Sequence, residues 1–461
     1  MSEHVVRPHP QGVRPSGNAV SVRSNAVSSM GFLAVLGDEI LLSILSWLSI
    51  DDLRKLGSTC RALFAFTCHD ELWKPLRLQQ ESSDPESCGS WHGSWRATCL
   101  GHRPSKVASI DTLVCSDALY RPYFCSQIDL TPFISNTPLR NWISRLDNLS
   151  AADFASEWSD RPFMLTEAIK CWPVLKNWCS ETLLQRYGQV KFRAEAAEWP
   201  LADYVEYMND NEDESPLYLF DKDFVQKMEL STEETHGAFW SPPCFAEDLF
   251  EVLGEQRPDH RWLIIGGRRS GSTFHKDPNS TSAWNAVIKG SKYWIMFPPS
   301  QLPPGVIVSQ DQSEITSPYS IAEWLLNFHQ EARHMQSCRE VICNAGEVVH
   351  VPSGWWHLVV NLEPTIAITQ NFVPKAHLGN VLDFLRNKPQ QVSGFGDNIQ
   401  DPCQLFLNKL RINDIDTSGY LNNTKNKKRA FKDFLRDGRP ENVETAQPFQ
   451  FCFTDVAGEA C

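Results

Sequence analysis

At 461 residues, 42% of them hydrophobic and 21% charged, the chain has material for two or three domains and an ordinary core. Its 43 lysines and arginines against 56 aspartates and glutamates give a formal net charge of -13, which disfavours generic nucleic-acid binding and suits a basic protein partner. No run reaches the roughly 18 apolar residues that span a bilayer, and the N-terminus lacks the apolar core of a secretory signal. The 14 cysteines form no CxxC pairs. These features predict a chain that is reduced, not secreted and without a membrane partner. Cys338 and Cys343 are expected to be buried strand thiols rather than metal ligands.

Residues 1–30, rich in Ser, Pro, Asn, Val and Arg without periodicity, are expected to be a disordered tail. Over 31–80 the pattern changes. Leu36, Ile40, Ile44 and Leu48 recur every four residues, with Leu41 and Leu45 beside them, and Asp38 and Glu39 suit a first helical turn. Ser49 and Asp51 offer a new cap before Leu53, Leu56, Cys60 and Leu63, so two or three short amphipathic helices are predicted. The leading Leu-x-x-Glu-Ile, the Asp-Leu pair, the Cys-Arg and the closing Leu72-Trp73 resemble an F-box, with Gly37 where that family usually has proline. The resemblance implies docking onto a Skp-type adaptor of a cullin ubiquitin ligase. Residues 81–145, opening on SSDPESCGS and followed by Trp91 and Trp95, read as a connector that wraps onto the next domain.

From 146 to 374 short β-branched and aromatic runs dominate. RWLIIGG, STFHKD, SAWNAVI, KYWIMFP, EVIC, EVVHV, GWWHLVVN and TIAITQNFV are punctuated by Gly, Pro or Asn, which implies a closed or sandwich-like β architecture. The Lys289-Gly290 turn suggests a hairpin, and residues 299–337 form an insertion carrying a helix, IAEWLLNFHQEARHM. Residues 375–461 return to helix in NVLDFLRN, CQLFLNKLRI and KKRAFKDFL, which either pair two copies of the chain or cover the barrel end.

His275 and Asp277 lie two apart, the spacing that puts an imidazole and a carboxylate on one face of a strand. His357 could complete a two-histidine, one-carboxylate set of the kind that holds non-haem iron. FHKDPNSTSAWNAVIKGSKYWIMFPPS and GEVVHVPSGWWHLVVNLEPTIAITQNFV, with SPLYLFD and RWLIIGG, resemble the Jumonji-C oxygenases from about Leu149 to Val373, in the branch of the bifunctional arginine demethylase and lysyl-hydroxylase. That resemblance implies an α+β fold: a double-stranded β-helix of the cupin or jelly-roll kind with flanking helices, preceded by the small helical F-box. It implies iron(II) on His275, Asp277 and His357, 2-oxoglutarate as cosubstrate on Lys292, Asn285, Thr369, Tyr218 and Ser272, and dioxygen as oxidant. Asn371 should share the face of Thr369, whereas His350 is expected to pack or hydrogen-bond rather than ligate.

The activity so implied is hydroxylation of a lysyl or arginyl side chain, or N-demethylation where the oxidised carbon is an N-methyl. A histone, splicing or ribosomal protein would be a suitable substrate. Two other readings stay open: a ligase substrate receptor whose β domain only recognises its target, and a tRNA-modifying hydroxylase. Lys425, Lys427, Lys428 and Arg429 form either a nuclear import signal or a solvated helix start, so the expected location is nucleus, cytoplasm or both.

Overall fold

The computed structural model describes residues 7–20, 26–83, 90–101, 114–234, 236–309 and 314–417. Eight strands make its centre: β1 (Arg261–Gly266), β2 (Gly271–His275), β3 (Ser282–Lys289), β4 (Ser291–Phe297), β5 (Arg339–Asn344), β6 (Val348–Val351), β7 (Trp356–Asn361) and β8 (Thr365–Phe372). They divide between two facing sheets, ordered β6-β3-β8-β1 and β5-β4-β7-β2, the chain changing sheet at every connection except β4 to β5, which is the winding of a double-stranded β-helix. The first sheet is extended to nine strands by Phe163–Leu165 and Ser144–Leu146 at one edge, and by Leu219–Asp221, Lys191–Ala194 and Ala197–Pro200 at the other.

Each core strand has an inner and an outer face. On β3, Ala283 and Val287 join an inner cluster with Trp294 and Met296 of β4, while Trp284 and Ile288 pack outward beneath the flanking helices. Outward residues of the second sheet, Tyr293, Ile295, Leu358 and Val360, are covered by α5 (Ile321–His334) through Trp324 and Leu325. Strands buried on both faces read as near-continuous apolar runs, and these do. The helices α6 (Leu378–Asn387) and α7 (Pro402–Ile412) close over Leu249, Phe250 and Val373. The third expected C-terminal helix, over 427–435, lies outside the described residues.

Ahead of the barrel, α1 (Asp38–Leu45), α2 (Ile50–Gly57), α3 (Arg61–Thr67) and α4 (Lys74–Ser83) form the helical unit. Ser49 caps α2 by accepting the Asp52 N–H at 3.2 Å. The unit shares one core with the barrel half: Leu41, Leu45, Leu53, Phe66 and Trp73 belong to the same buried cluster as Trp95, Trp199 and Tyr207. Trp95 is the wedge, its indole N–H donating to the Asp213 carboxylate at 2.9 Å, which also accepts the Tyr207 hydroxyl at 2.7 Å.

Two expectations are corrected. The Lys289-Gly290 turn is not a hairpin, because β3 pairs with β6 and β8 while β4 pairs with β5 and β7. It is a crossover between sheets, made by Gly290 at a φ of 77°. The tail over 1–30 is partly ordered: Val13 is buried and pairs with Val114 in a short parallel bridge, and Met30 is buried.

Gly290→Ala should destabilise the fold by about 1–3 kcal/mol, since its positive φ disfavours a side chain and a Cβ there would lie 2.4 Å from the Pro364 carbonyl oxygen. Gly37→Ala, with φ at -65° and nothing within 4 Å of the added carbon, should not share that penalty. Urea unfolding midpoints of the two variants check this.

Candidate metal centre and cosubstrate cavity

β2 and β7 pair antiparallel with His275 directly opposite His357, and their ring centroids stand 4.1 Å apart. Between that pair and the next, Val359 with Ser272, β2 holds one extra residue. This bulge returns Ser272 to the inner face that His275 occupies, where strict alternation would have turned it outward. Asp277 is not on the strand, which ends at His275, but follows in extended backbone (φ -60°, ψ 145°) that keeps it beside the imidazole. Ligand atoms of His275, Asp277 and His357 all lie within 4.8 Å of one another, the sole such grouping of His, Cys, Asp or Glu among the described residues.

The ring nitrogens are oriented by the backbone. His275 Nδ1 lies 2.8 Å from the Thr273 carbonyl oxygen and His357 Nδ1 lies 3.2 Å from that of Trp355, so each Nδ1–H has an acceptor and each Nε2 keeps its lone pair. Trp294 stacks on the His357 ring at 5.9 Å. Burial, followed by the nearby His357, holds His275 down to about 4; burial also lowers His357 to about 4. Both are therefore neutral, as ligands must be. Burial pushes the Asp277 carboxyl up to about 6, against the lowering influence of His275 and an Asn371 amide N–H 3.5 Å away. Its Oδ2 is buried with no hydrogen-bond partner. Two neutral imidazoles and a carboxylate short of a counter-charge fit a divalent cation, and two nitrogens with one oxygen suit iron(II).

Beside them lies a cavity of about 270 Å³ lined by Tyr218, Ser272, Asn285 and Thr369 as well as the three ligand candidates and Asn371. Asn285 and Thr369 are register partners on β3 and β8; the Thr369 hydroxyl donates to the Trp284 carbonyl oxygen at 2.9 Å, while Asn285 Oδ1 is buried and unpaired. Lys292, on the inner face of β4, is fully buried and donates to the Tyr218 hydroxyl at 2.5 Å. Among the described residues it pairs with no carboxylate, and burial lowers it to about 7. A buried ammonium without an anion is costly, so the place suits a ligand carboxylate. All eight sequence-predicted residues thus converge on one region.

His350 faces outward, packed among Phe154, Phe163 and Phe245, with Nδ1 3.1 Å from the Arg161 carbonyl oxygen. Cys338 and Cys343 are buried free thiols. The sequence reasoning missed Phe220 and Trp262, which stack at 5.3 Å and line the same cavity. Their two-residue spacing from Tyr218 and Ile264 was the available signal.

The sequence matches the Cupin-like domain family over residues 155–377 and the F-box-like family over 34–79. It is 39% identical to an arginine-specific demethylase, JMJ22, of Arabidopsis thaliana over 85% of this chain and 79% of that protein. It is 32% identical to a lysine-specific demethylase, JMJ21, of the same plant, over 78% of this chain and 39% of the relative. A bifunctional arginine demethylase and lysyl-hydroxylase, psr-1, of Caenorhabditis elegans is 32% identical over 52% of this chain and 64% of its own length.

Lys292 yields a signed prediction. Its folded value of about 7 lies below the ordinary 10.5, so between those values the unfolded chain binds more protons and stability rises with pH. Lys292→Met should abolish that slope, stabilise the ligand-free protein near neutral pH by on the order of a few kcal/mol, and eliminate 2-oxoglutarate binding. Urea unfolding across the window, paired with calorimetric titration of 2-oxoglutarate, checks both arms.

Proposed function

We propose, for a chain that belongs to the Jumonji-C family of iron(II)- and 2-oxoglutarate-dependent oxygenases and carries an F-box ahead of that domain, that it hydroxylates or N-demethylates an arginyl or lysyl side chain of a protein, with His275, Asp277 and His357 as the iron ligands. The convergence of the three ligand atoms within 4.8 Å, beside a buried lysine that lacks an anion, is the observation that carries this reading. Bound iron with 2-oxoglutarate and dioxygen supplies an oxidant strong enough to break an unactivated C–H bond.

The chain's own residues hold and orient. Neutral imidazoles offer Nε2, and the Asp277 carboxylate brings the negative charge. Lys292 and Tyr218 are placed to receive the distal carboxylate of 2-oxoglutarate, Lys292 by charge and Tyr218 through its hydroxyl. Asn285, Thr369 and Ser272 contribute polar groups on the same wall, and the Asn371 amide, held by Thr281 at 2.9 Å, steadies Asp277. Val351, Val359 and Trp294 make the remaining wall apolar, which limits water near the reacting atoms. The two-histidine centre with Lys292 favours an active enzyme over a receptor that only binds its target. Resemblance to the arginine- and lysine-directed relatives supports the choice of side chain.

A ligase link has support of its own. Leu41 and Leu45 of α1 point into the core, but Ile40, Ile44 and the following Trp47 are exposed, Trp47 by 84%. A helix apolar on two faces has one left for a partner, and an F-box offers it to a Skp-type adaptor. The basic run Lys425, Lys427, Lys428 and Arg429 supports a nuclear as well as a cytoplasmic place.

His275→Ala or Asp277→Ala should abolish substrate-linked succinate formation while the circular dichroism spectrum stays that of the wild type. The decisive measurement is mass spectrometry of basic proteins incubated with the enzyme, iron(II), 2-oxoglutarate and ascorbate. A gain of one oxygen or loss of a methyl group on Arg or Lys is expected, and its absence across such substrates would refute the proposal. Trp47→Asp should lose co-purification with a Skp-type adaptor while oxygen chemistry persists.

A further inference from the structure

Two further cavities lie outside the one that would hold iron and cosubstrate, and the nearer shares a wall with it. The nearer, of about 350 Å³, runs along β2: Ser270, Gly271, Ser272 and Thr273 line it, and it shares Ser272 and His275 with the cosubstrate cavity. β2 is the edge strand of its sheet, bonded only to β7 among the described residues, so its far edge offers main-chain N–H and C=O groups to this space. The second cavity, of about 470 Å³, lies where the F-box helices meet the catalytic domain. Glu214 lines both, and the Tyr319 hydroxyl of the first donates to Glu71 Oε2 of the second at 3.3 Å. A path therefore leads from the edge of β2 to the F-box.

In the larger cavity the charge is one-sided, whereas the smaller has Arg269 beside Glu195 and Glu214. Asp70, Glu71, Asp210, Glu212, Asp213 and Glu214 line the larger cavity against a single arginine, Arg96. Some of these acids are already answered: Glu214 by Arg121, and Asp213 by Trp95, Tyr207 and Lys74. Glu71 and, on the smaller cavity, Glu195 form no ion pair within 4 Å among the described residues. Glu71 stands where the two cavities meet and Glu195 lines the smaller; the charge of Lys74 reaches both, but neither is closed off by a contact ion pair among the described residues.

We propose that an extended, basic segment of the protein substrate adds to the free edge of β2 and continues between Glu195 and Glu71, so that the F-box forms part of the oxygenase's own substrate site. This rests on the reading of the centre as a protein side-chain oxygenase. Strand addition supplies affinity through main-chain hydrogen bonds, and alternation turns every second side chain toward His275. The carboxylates then select arginine and lysine in the flanking positions, by complementarity of the kind that sets specificity and encounter rate. The exposed face of α1 at Ile40 and Ile44, with Trp47 just beyond it, is left free, so substrate and adaptor need not compete.

The test uses the full chain and a labelled synthetic peptide of alternating arginine and serine, with binding followed by fluorescence anisotropy under nitrogen in manganese(II) and 2-oxoglutarate. Glu71→Lys and Glu195→Lys should each weaken binding about tenfold, both without changing co-purification with the adaptor and Glu71→Lys without changing substrate-free 2-oxoglutarate consumption. A glutamate-for-arginine peptide should regain affinity on the lysine variants. A peptide N-methylated on alternate main-chain amides, its charge intact, should bind as poorly as the wild-type peptide does to the variants. Unchanged affinity in both variants, or no penalty from N-methylation, overturns the proposal. A peptide that binds with these sensitivities but is never oxidised leaves the docking path standing while the chemical reading falls. A peptide oxidised with a KM the variants do not move does the reverse.

Discussion

The pairing of His275 with His357 across β2 and β7 is the constraint from which the rest of the site follows. In a sheet, a slip of one residue turns every side chain to the opposite face, and here it would send both imidazoles into the apolar layer beneath α5. Register is held by what lies on that outer side: Phe274 of β2 packs on Trp324, and Leu358 of β7 belongs to the same cluster. The helix within the insertion thus does more than cover the barrel. Its packing keeps the chemical face pointing inward.

Much of this was readable from residue order. All eight barrel strands are present where β-branched and aromatic runs predicted them, and so is the helix of the insertion, because burial on both faces leaves a plain apolar signature. What escaped was non-local. Lys289-Gly290 announces a turn, but no local chemistry says whether the next strand joins the same sheet or the opposite one; that depends on β5 and β7, more than forty residues away. The bulge in β2 is equally silent, since the extra residue is visible only against the register of its partner. Val13 looked solvated because its neighbours are polar, and it is ordered by a bridge to Val114, a hundred positions on. For the site, two-residue spacing proposed His275 with Asp277, yet the family likeness was needed to add His357 and Lys292. That Glu71 and Glu195 form no ion pair among the described residues depends on the packing of separate segments and carries no sequence signal.

The electrostatics of the centre form two complementary deficits. The three ligand groups hold no positive charge among them, Asp277 most plainly, while Lys292 has no carboxylate partner among the described residues. Either deficit alone would be a liability for the fold, because an ion out of water costs several kcal/mol on the order of what one domain has to spare. Placed along one inner wall of the barrel, Lys292 on β4 and Asp277 just past the end of β2 with β7 between them, they specify a ligand that is anionic at one end and shares a cation at the other.

The junction around Trp95 has a mechanical consequence. Its indole is fully buried against Trp199 and Tyr207, tied to Asp213, and continuous with the packing under Trp73. Among the described residues the helical unit and the barrel share one buried cluster, so whatever docks on Trp47 is held at a fixed bearing to the mouth of the oxidising chamber. Ligase and oxygenase on this chain would work as one rigid bracket, with the reach from one to the other set by the fold.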